Sequence, residues 1–170
     1  MANPPASPES DVALAVRLAG QAGELLVEGR RQMFAAGAHS WQVMDGGDQL
    51  GHRFIAEQLR THRPDDAVLD EEGAEDPRRF GADRVWIIDP LDGTREFGEG
   101  RSDWAVHVAL VEAGVPTAGA VALPGLDQVL TTGAPAKVPP PPEQLRVVVS
   151  RSRPPAEALR IAHALDAELV

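Results

Sequence analysis

The chain has 170 residues, 43% of them apolar, with a formal net charge of -10 and no cysteine. That supports one sizeable core and the start of a second domain, and excludes disulfides, thiolate metal sites and a cysteine nucleophile. The acidic balance argues against binding nucleic acid by charge, and no run approaches the roughly 18 apolar residues of a membrane span. Met1 to Asp11 has neither the basic nor the apolar region of a secretory signal, so a cytoplasmic protein with no membrane partner is expected.

Val12, Ala15, Val16, Ala19, Ala22, Leu25 and Leu26 recur at three- and four-residue steps, which predicts an amphipathic helix over residues 9–34. Ser7-Pro8 supplies its start and Gly37 its stop. A second helix is expected from about Asp48, carrying Leu50, Phe54, Ile55 and Leu59 until Pro64 ends it. Ala67-Val68-Leu69 then forms a short strand that delivers Asp70-Glu71-Glu72. Val85-Trp86-Ile87-Ile88 is an apolar strand ending at Asp89, where Pro90 turns the chain sharply. Further strands are expected over Trp104–Val111, Ala118–Leu123 and Gln128–Thr132. Helices mixed with strands, joined by turns such as Glu112-Ala-Gly and Pro124-Gly, predict an α+β layer structure.

Residues 135–144 hold four consecutive prolines and are expected to be a stiff linker between a first domain (1–134) and a second (145–170). Beyond it, Leu145–Val149 is expected to be a strand and Pro154–Leu169 a helix. One strand and one helix cannot bury both faces of such a strand, so this unit wants partners from another chain or from more sequence.

The segment with most chemistry is Trp86-Ile-Ile-Asp89-Pro90-Leu91-Asp92-Gly93-Thr94-Arg95-Glu96-Phe97. Asp89 and Asp92 can direct hard oxygen ligands into one pocket, while Gly93 lets the backbone N–H groups of Gly93 and Thr94 approach an anion. Oxygen-only ligands favour Mg²⁺ over zinc. Asp70-Glu71-Glu72 is a second acidic cluster, and Asp48 follows Gly46-Gly47. Each has a plainer reading: a surface turn, a solvated loop and a helix N-cap, respectively. Together they can build a site for two cations about 3.5–4 Å apart that holds a phosphate and activates water.

The run Trp-Ile-Ile-Asp-Pro-Leu-Asp-Gly-Thr, preceded by a Glu-Glu pair, resembles the signature of the inositol monophosphatase superfamily. Arg-Glu-Phe after Asp-Gly-Thr, Asp103-Trp104-Ala105-Val106-His107 and Ser150-Arg-Ser-Arg-Pro-Pro are similar to its CysQ-like 3'(2'),5'-bisphosphate nucleotidase branch. The likeness covers the chain from about residue 10. It implies a sugar-phosphatase-like αβαβα fold whose N-terminal domain packs helices on a mostly antiparallel sheet. It implies hydrolysis of the 3'-phosphate of 3'-phosphoadenosine-5'-phosphate or its sulfated form, with two or three Mg²⁺ ions and lithium sensitivity. An inositol-1-phosphate or sugar-bisphosphate phosphatase with the same chemistry is the alternative, and a fragment that only binds metal or a partner chain is another. A homodimer would suit the family.

Carried over by position, the resemblance makes Glu71, Asp89 and the Leu91 carbonyl ligands of the first metal, and Asp92 the bridge to a second. Asp48 would bind a further metal or its water, and Glu72 would be a ligand or a neighbour of one. Thr94, with Glu71 or Asp48 accepting, would orient and deprotonate the attacking water. Asp92, Gly93, Thr94 and Arg95 would hold the phosphate. The histidines, His107 included, are expected to be structural or surface residues. Trp86 and Trp104 are core residues by default, with a stacking platform for adenine as the alternative. Arg151 and Arg153 are solvated, or reach a second phosphate. Full-length relatives carry most of a further domain, including a late Trp-Asp motif that completes the second metal site. The 170-residue chain alone is therefore expected to be weakly active or inactive.

Overall fold

The computed structural model describes residues 9–70, 76–135, 137–150 and 153–170. They divide into two compact units, Met1–Ala136 and Lys137–Val170. In the first unit, Ser10 caps helix α1 (Asp11–Ala35), its hydroxyl accepting from the Ala13 amide at 3.2 Å. The expected start at Ser7-Pro8 lies outside the described residues. Gly37, at a left-handed φ of 82°, ends α1, and the Ala38 amide closes the last turn on the Met33 carbonyl at 3.0 Å.

Helix α2 spans Ser40–His62 and so begins eight residues before the expected start at Asp48. Gly46-Gly47 resembles a turn in sequence, yet both sit inside the helix because a side chain there would collide with its neighbours. A β-carbon on Gly46 would lie 2.7 Å from Met33 Sδ, and one on Gly47 would lie 2.6 Å from Phe97 and 2.8 Å from Leu91. Close packing outweighs the cost of roughly 1 kcal/mol per helical glycine. Asp48 is accordingly a mid-helix residue and not an N-cap.

One five-stranded sheet has the order β1-β2-β3-β4-β5. Strand β1 (Ala67–Asp70) runs parallel to β2 (Arg84–Asp92). Strands β3 (Ala105–Glu112), β4 (Val115–Leu123) and β5 (Gln128–Thr131) are antiparallel to their neighbours, so the sheet is mostly antiparallel. Ala113 and Gly114, both at positive φ, make the two-residue turn between β3 and β4. Alternation places Trp86 and Ile88, then Val106, Val108 and Leu110, then Ala118, Ala120 and Ala122 on the buried face. There they pack with Leu14, Leu18, Leu26, Ile55 and Leu59 of α1 and α2. Trp86 and Trp104 are both core residues, 0% and 4% exposed, which leaves neither ring face for adenine.

Polar ties brace the start of this sheet. Arg84 is ion-paired with Asp66 at 2.9 Å, with Asp11 at 3.1 Å and with Glu112. Arg63 reaches Asp11 at 2.8 Å, and the buried Trp86 indole donates to Asp66 at 2.8 Å.

In the second unit β6 (Arg146–Val147) pairs in parallel with β7 (Glu168–Leu169), and α4 (Ala156–Ala164) packs on both. Strand and helix are thus shorter than the expected 145–149 and 154–169. The helix ends early because Asp166 takes a left-handed φ of 49° and the Ala167 amide bonds back to the Ala162 carbonyl at 2.8 Å. An aspartate there, in place of the usual glycine, hides that stop from a sequence reader.

Candidate metal and phosphate site

The Asp89–Thr94 segment runs from the end of β2 into the turn beyond it, and its shape follows from Pro90. Proline has no N–H for the ladder, so the pairing with β3 slips between Asp89 and Asp92. The chain continues as strand through this irregularity and turns only at Gly93, in contrast to the sharp turn expected at Pro90. Gly93 adopts φ 89° and caps the short helix α3 (Thr94–Gly98). A β-carbon there would also sit 3.1 Å from the Asp103 carbonyl oxygen and from Trp104 Cβ, so both conformation and space demand glycine.

α2 is seated against this segment through Gly47 and Gly51. Gly47 faces Leu91 and Phe97, and a β-carbon on Gly51 would lie 3.0 Å from Pro90 Cβ and 3.1 Å from its carbonyl oxygen. Gly51→Ala is expected to cost about 1–3 kcal/mol, more than its gain in helix propensity, because Pro90 backbone must move. Urea unfolding of the two proteins measures this, and equal midpoints would refute the close seat.

That seat brings Asp48 to Thr94. The Thr94 hydroxyl lies 3.2 Å from Asp48 Oδ1 and 3.0 Å from the Leu91 carbonyl oxygen. One hydroxyl proton therefore has two acceptors. The Leu91 amide donates to Asp89 Oδ1 at 3.2 Å, which turns that carboxylate along the loop. Asp89 and Asp92 both line a groove of about 550 Å³ with Leu69, Ile87 and His107. Asp92 is exposed and meets His107 Nε2 at 3.1 Å.

Of the site residues expected from sequence, Asp48, Leu91 and Thr94 are in direct contact, Asp89 is joined to them through Leu91, and Asp92 faces the groove. Arg95 is exposed and pairs with Glu99 at 3.6 Å, one turn along α3. Arg153 is exposed. Glu71, Glu72 and Arg151 lie outside the described residues. His107, expected to be a structural or surface residue, is half-exposed, and its cross-strand register with Asp89 is visible only once β2 and β3 are aligned.

Asp48, Asp89, Asp92 and the Leu91 carbonyl offer oxygen only, the donor chemistry of a hard cation such as Mg²⁺. Among the described residues, no three His, Asp or Glu side chains gather closely enough to hold an ion. Glu71 and Glu72, the further carboxylates expected from the sequence, follow directly on β1 along the chain. β1 ends at Asp70 opposite Ile88, so the next residues along the two chains are Glu71 and Asp89.

The fold and this loop define an α+β layered protein with a cluster of oxygen donors at the end of its second strand. The chain belongs to the inositol monophosphatase family, whose model matches residues 7–158. It is 44% identical over 176 residues to the 3'-phosphoadenosine 5'-phosphate phosphatase of Mycobacterium leprae, covering 95% of this chain and 64% of that protein. It is 33% identical over 159 residues to the 3'(2'),5'-bisphosphate nucleotidase CysQ of Escherichia coli, covering 90% of this chain and 63% of the relative. The chain thus spans less than two thirds of the length of either. The crystal structure of CysQ from Bacteroides thetaiotaomicron superposes with a TM-score of 0.74 at 24% identity, over 95% of this chain and 72% of that one. At that identity the match speaks to the fold. Among the described residues, no helix is long and apolar enough to cross a membrane.

Proposed function

We propose that this chain carries the metal-holding part of a Mg²⁺-dependent phosphomonoesterase acting on the 3'-phosphate of 3'-phosphoadenosine 5'-phosphate. The observation that carries the reading is the Thr94 hydroxyl held between Asp48 and the Leu91 carbonyl, beside Asp89. The names of the relatives at 44% and 33% identity support the substrate.

Asp89, Asp92, the Leu91 carbonyl, Glu71 and Glu72 would hold the ions, with Asp48 on a further one or its water. Mg²⁺ bound there would neutralise phosphate charge and make a water acidic enough to attack at neutral pH. The protein's own groups do the rest. Thr94, donating its hydroxyl hydrogen bond to Asp48, leaves oxygen lone pairs to accept from the attacking water. Asp48 or Glu71 takes the water's proton as the water oxygen bonds to phosphorus and the bond to the 3'-oxygen breaks. The leaving oxygen takes a proton from solvent, so no histidine base is needed. The amides of Gly93 and Thr94, with Arg95, orient the phosphate.

The test is phosphate release from 3'-phosphoadenosine 5'-phosphate and from inositol-1-phosphate with Mg²⁺ titrated. It is run on the chain as it stands and on the chain joined to the remaining C-terminal part of the M. leprae relative. Magnesium-dependent release that prefers the nucleotide is expected, strongest in the joined protein. Preference for inositol-1-phosphate would reassign the substrate. Metal binding without release in either form would make this a non-catalytic binding chain, and neither binding nor release would end the reading.

A further inference from the structure

α2 presents two polar side chains four residues apart, hence on one face and separated by about 6 Å along the axis. Asp48 meets Thr94 of the β2 loop. His52 meets the end of β1: its Nδ1 is hydrogen-bonded to Asp70 Oδ2. The Asp70 side chain is only 5% exposed, against 32% for His52. A carboxylate so far from water depends on its hydrogen-bond partners. An ionised carboxylate only accepts, so His52 supplies the N–H.

Asp70 is the last residue of β1, a four-residue strand at the edge of the sheet. So short an edge strand has one ladder to hold it, and a side-chain tie at its end adds much of its definition. The chain passes from Asp70 directly into Glu71 and Glu72. We infer that His52 is a positioning residue for the metal site, holding through Asp70 the strand end from which these two carboxylates follow. Because Asp48 and His52 ride on one helix, a single turn of α2 sets the span between the β1 and β2 halves. The role rests on the metal-site reading of the proposed function and touches neither substrate nor ion.

The experiment is Mn²⁺ titration of the full chain, followed by electron paramagnetic resonance, with amide exchange measured at Leu69 and Asp70. His52→Ala is expected to weaken Mn²⁺ binding about tenfold, the scale of losing a support behind a metal ligand. Exchange at the end of β1 should quicken while that of core amides in α1 is unchanged. His52→Gln retains an N–H donor and should recover most of the affinity. His52→Ala with Asp70→Ser removes the buried charge too, and should stay weak because the tie is still missing. Wild-type affinity in His52→Ala, or full recovery in the double variant, overturns the proposal and leaves the metal-site reading intact. No Mn²⁺ binding by the wild type overturns both.

Discussion

Asp89→Asn is expected to weaken Mg²⁺ binding by roughly a hundredfold, about 2.7 kcal/mol, and to abolish any Mg²⁺-dependent phosphate release. The effect isolates charge. Asparagine has the same shape, and its side-chain oxygen can still accept the Leu91 amide that Asp89 Oδ1 accepts at 3.2 Å. The loop should therefore keep its course while losing one of the negative charges that the proposed site would offer a hard cation. Calorimetric Mg²⁺ titration beside thermal unfolding separates the two. Weaker binding with an unchanged unfolding midpoint supports Asp89 as a ligand. Wild-type binding would remove it from that role, and a large loss of stability would mean that the carboxylate is mainly structural.

Arg84→Ala should produce the largest loss of stability outside the apolar core, about 2–3 kcal/mol at neutral pH. Removing one partner of a fully buried charge pair costs more, and the partial exposure of Arg84, 31%, reduces the figure. The variant leaves Asp11, Asp66 and Glu112 without the cation they share. Asp66, at 8% exposure, bears most of the cost, keeping only the Trp86 indole among these partners.

The pH dependence follows from Asp11. Its partial burial pushes the carboxyl up, but hydrogen bonds from Arg63 and Arg84 outweigh that and hold it below the ordinary 3.8. A depressed carboxyl contributes stability that is present above 3.8 and lost as pH falls through its folded value. Arg84→Ala removes part of that depression. The gap between wild type and variant should therefore be full at neutral pH and narrow below about pH 3.8. Urea unfolding at pH 7 and near pH 3 measures it. A gap that widens in acid would contradict the assignment.

The candidate site divides into a part legible in one stretch of chain and a part that is not. Asp89, Leu91, Asp92, Gly93 and Thr94 fall within six consecutive residues, and their geometry is local. An apolar strand, a proline that interrupts pairing, and a glycine that alone tolerates φ 89° produce the loop wherever β2 is buried. The core faces of β2, β3 and β4 are equally local, because alternation at period two marks them without knowledge of neighbours.

Asp48, His52 and His107 belong to the other part. The first half of α2 contains Gly46 and Gly47, which by propensity belong in a turn, and an exposed Trp41. Only the pressure of Met33, Leu91 and Phe97 against those glycines makes a helix the better state there. That helix then carries Asp48 to Thr94 and His52 to Asp70, across 46 and 18 residues of sequence. His107 reaches Asp92 through the register of two antiparallel strands. By itself, then, the sequence determined the loop, the strands and the oxygen-donor chemistry, since each depends on neighbours along the chain. The tertiary structure alone decided which distant side chains meet that loop, because close packing and strand register arise only when separate elements come together.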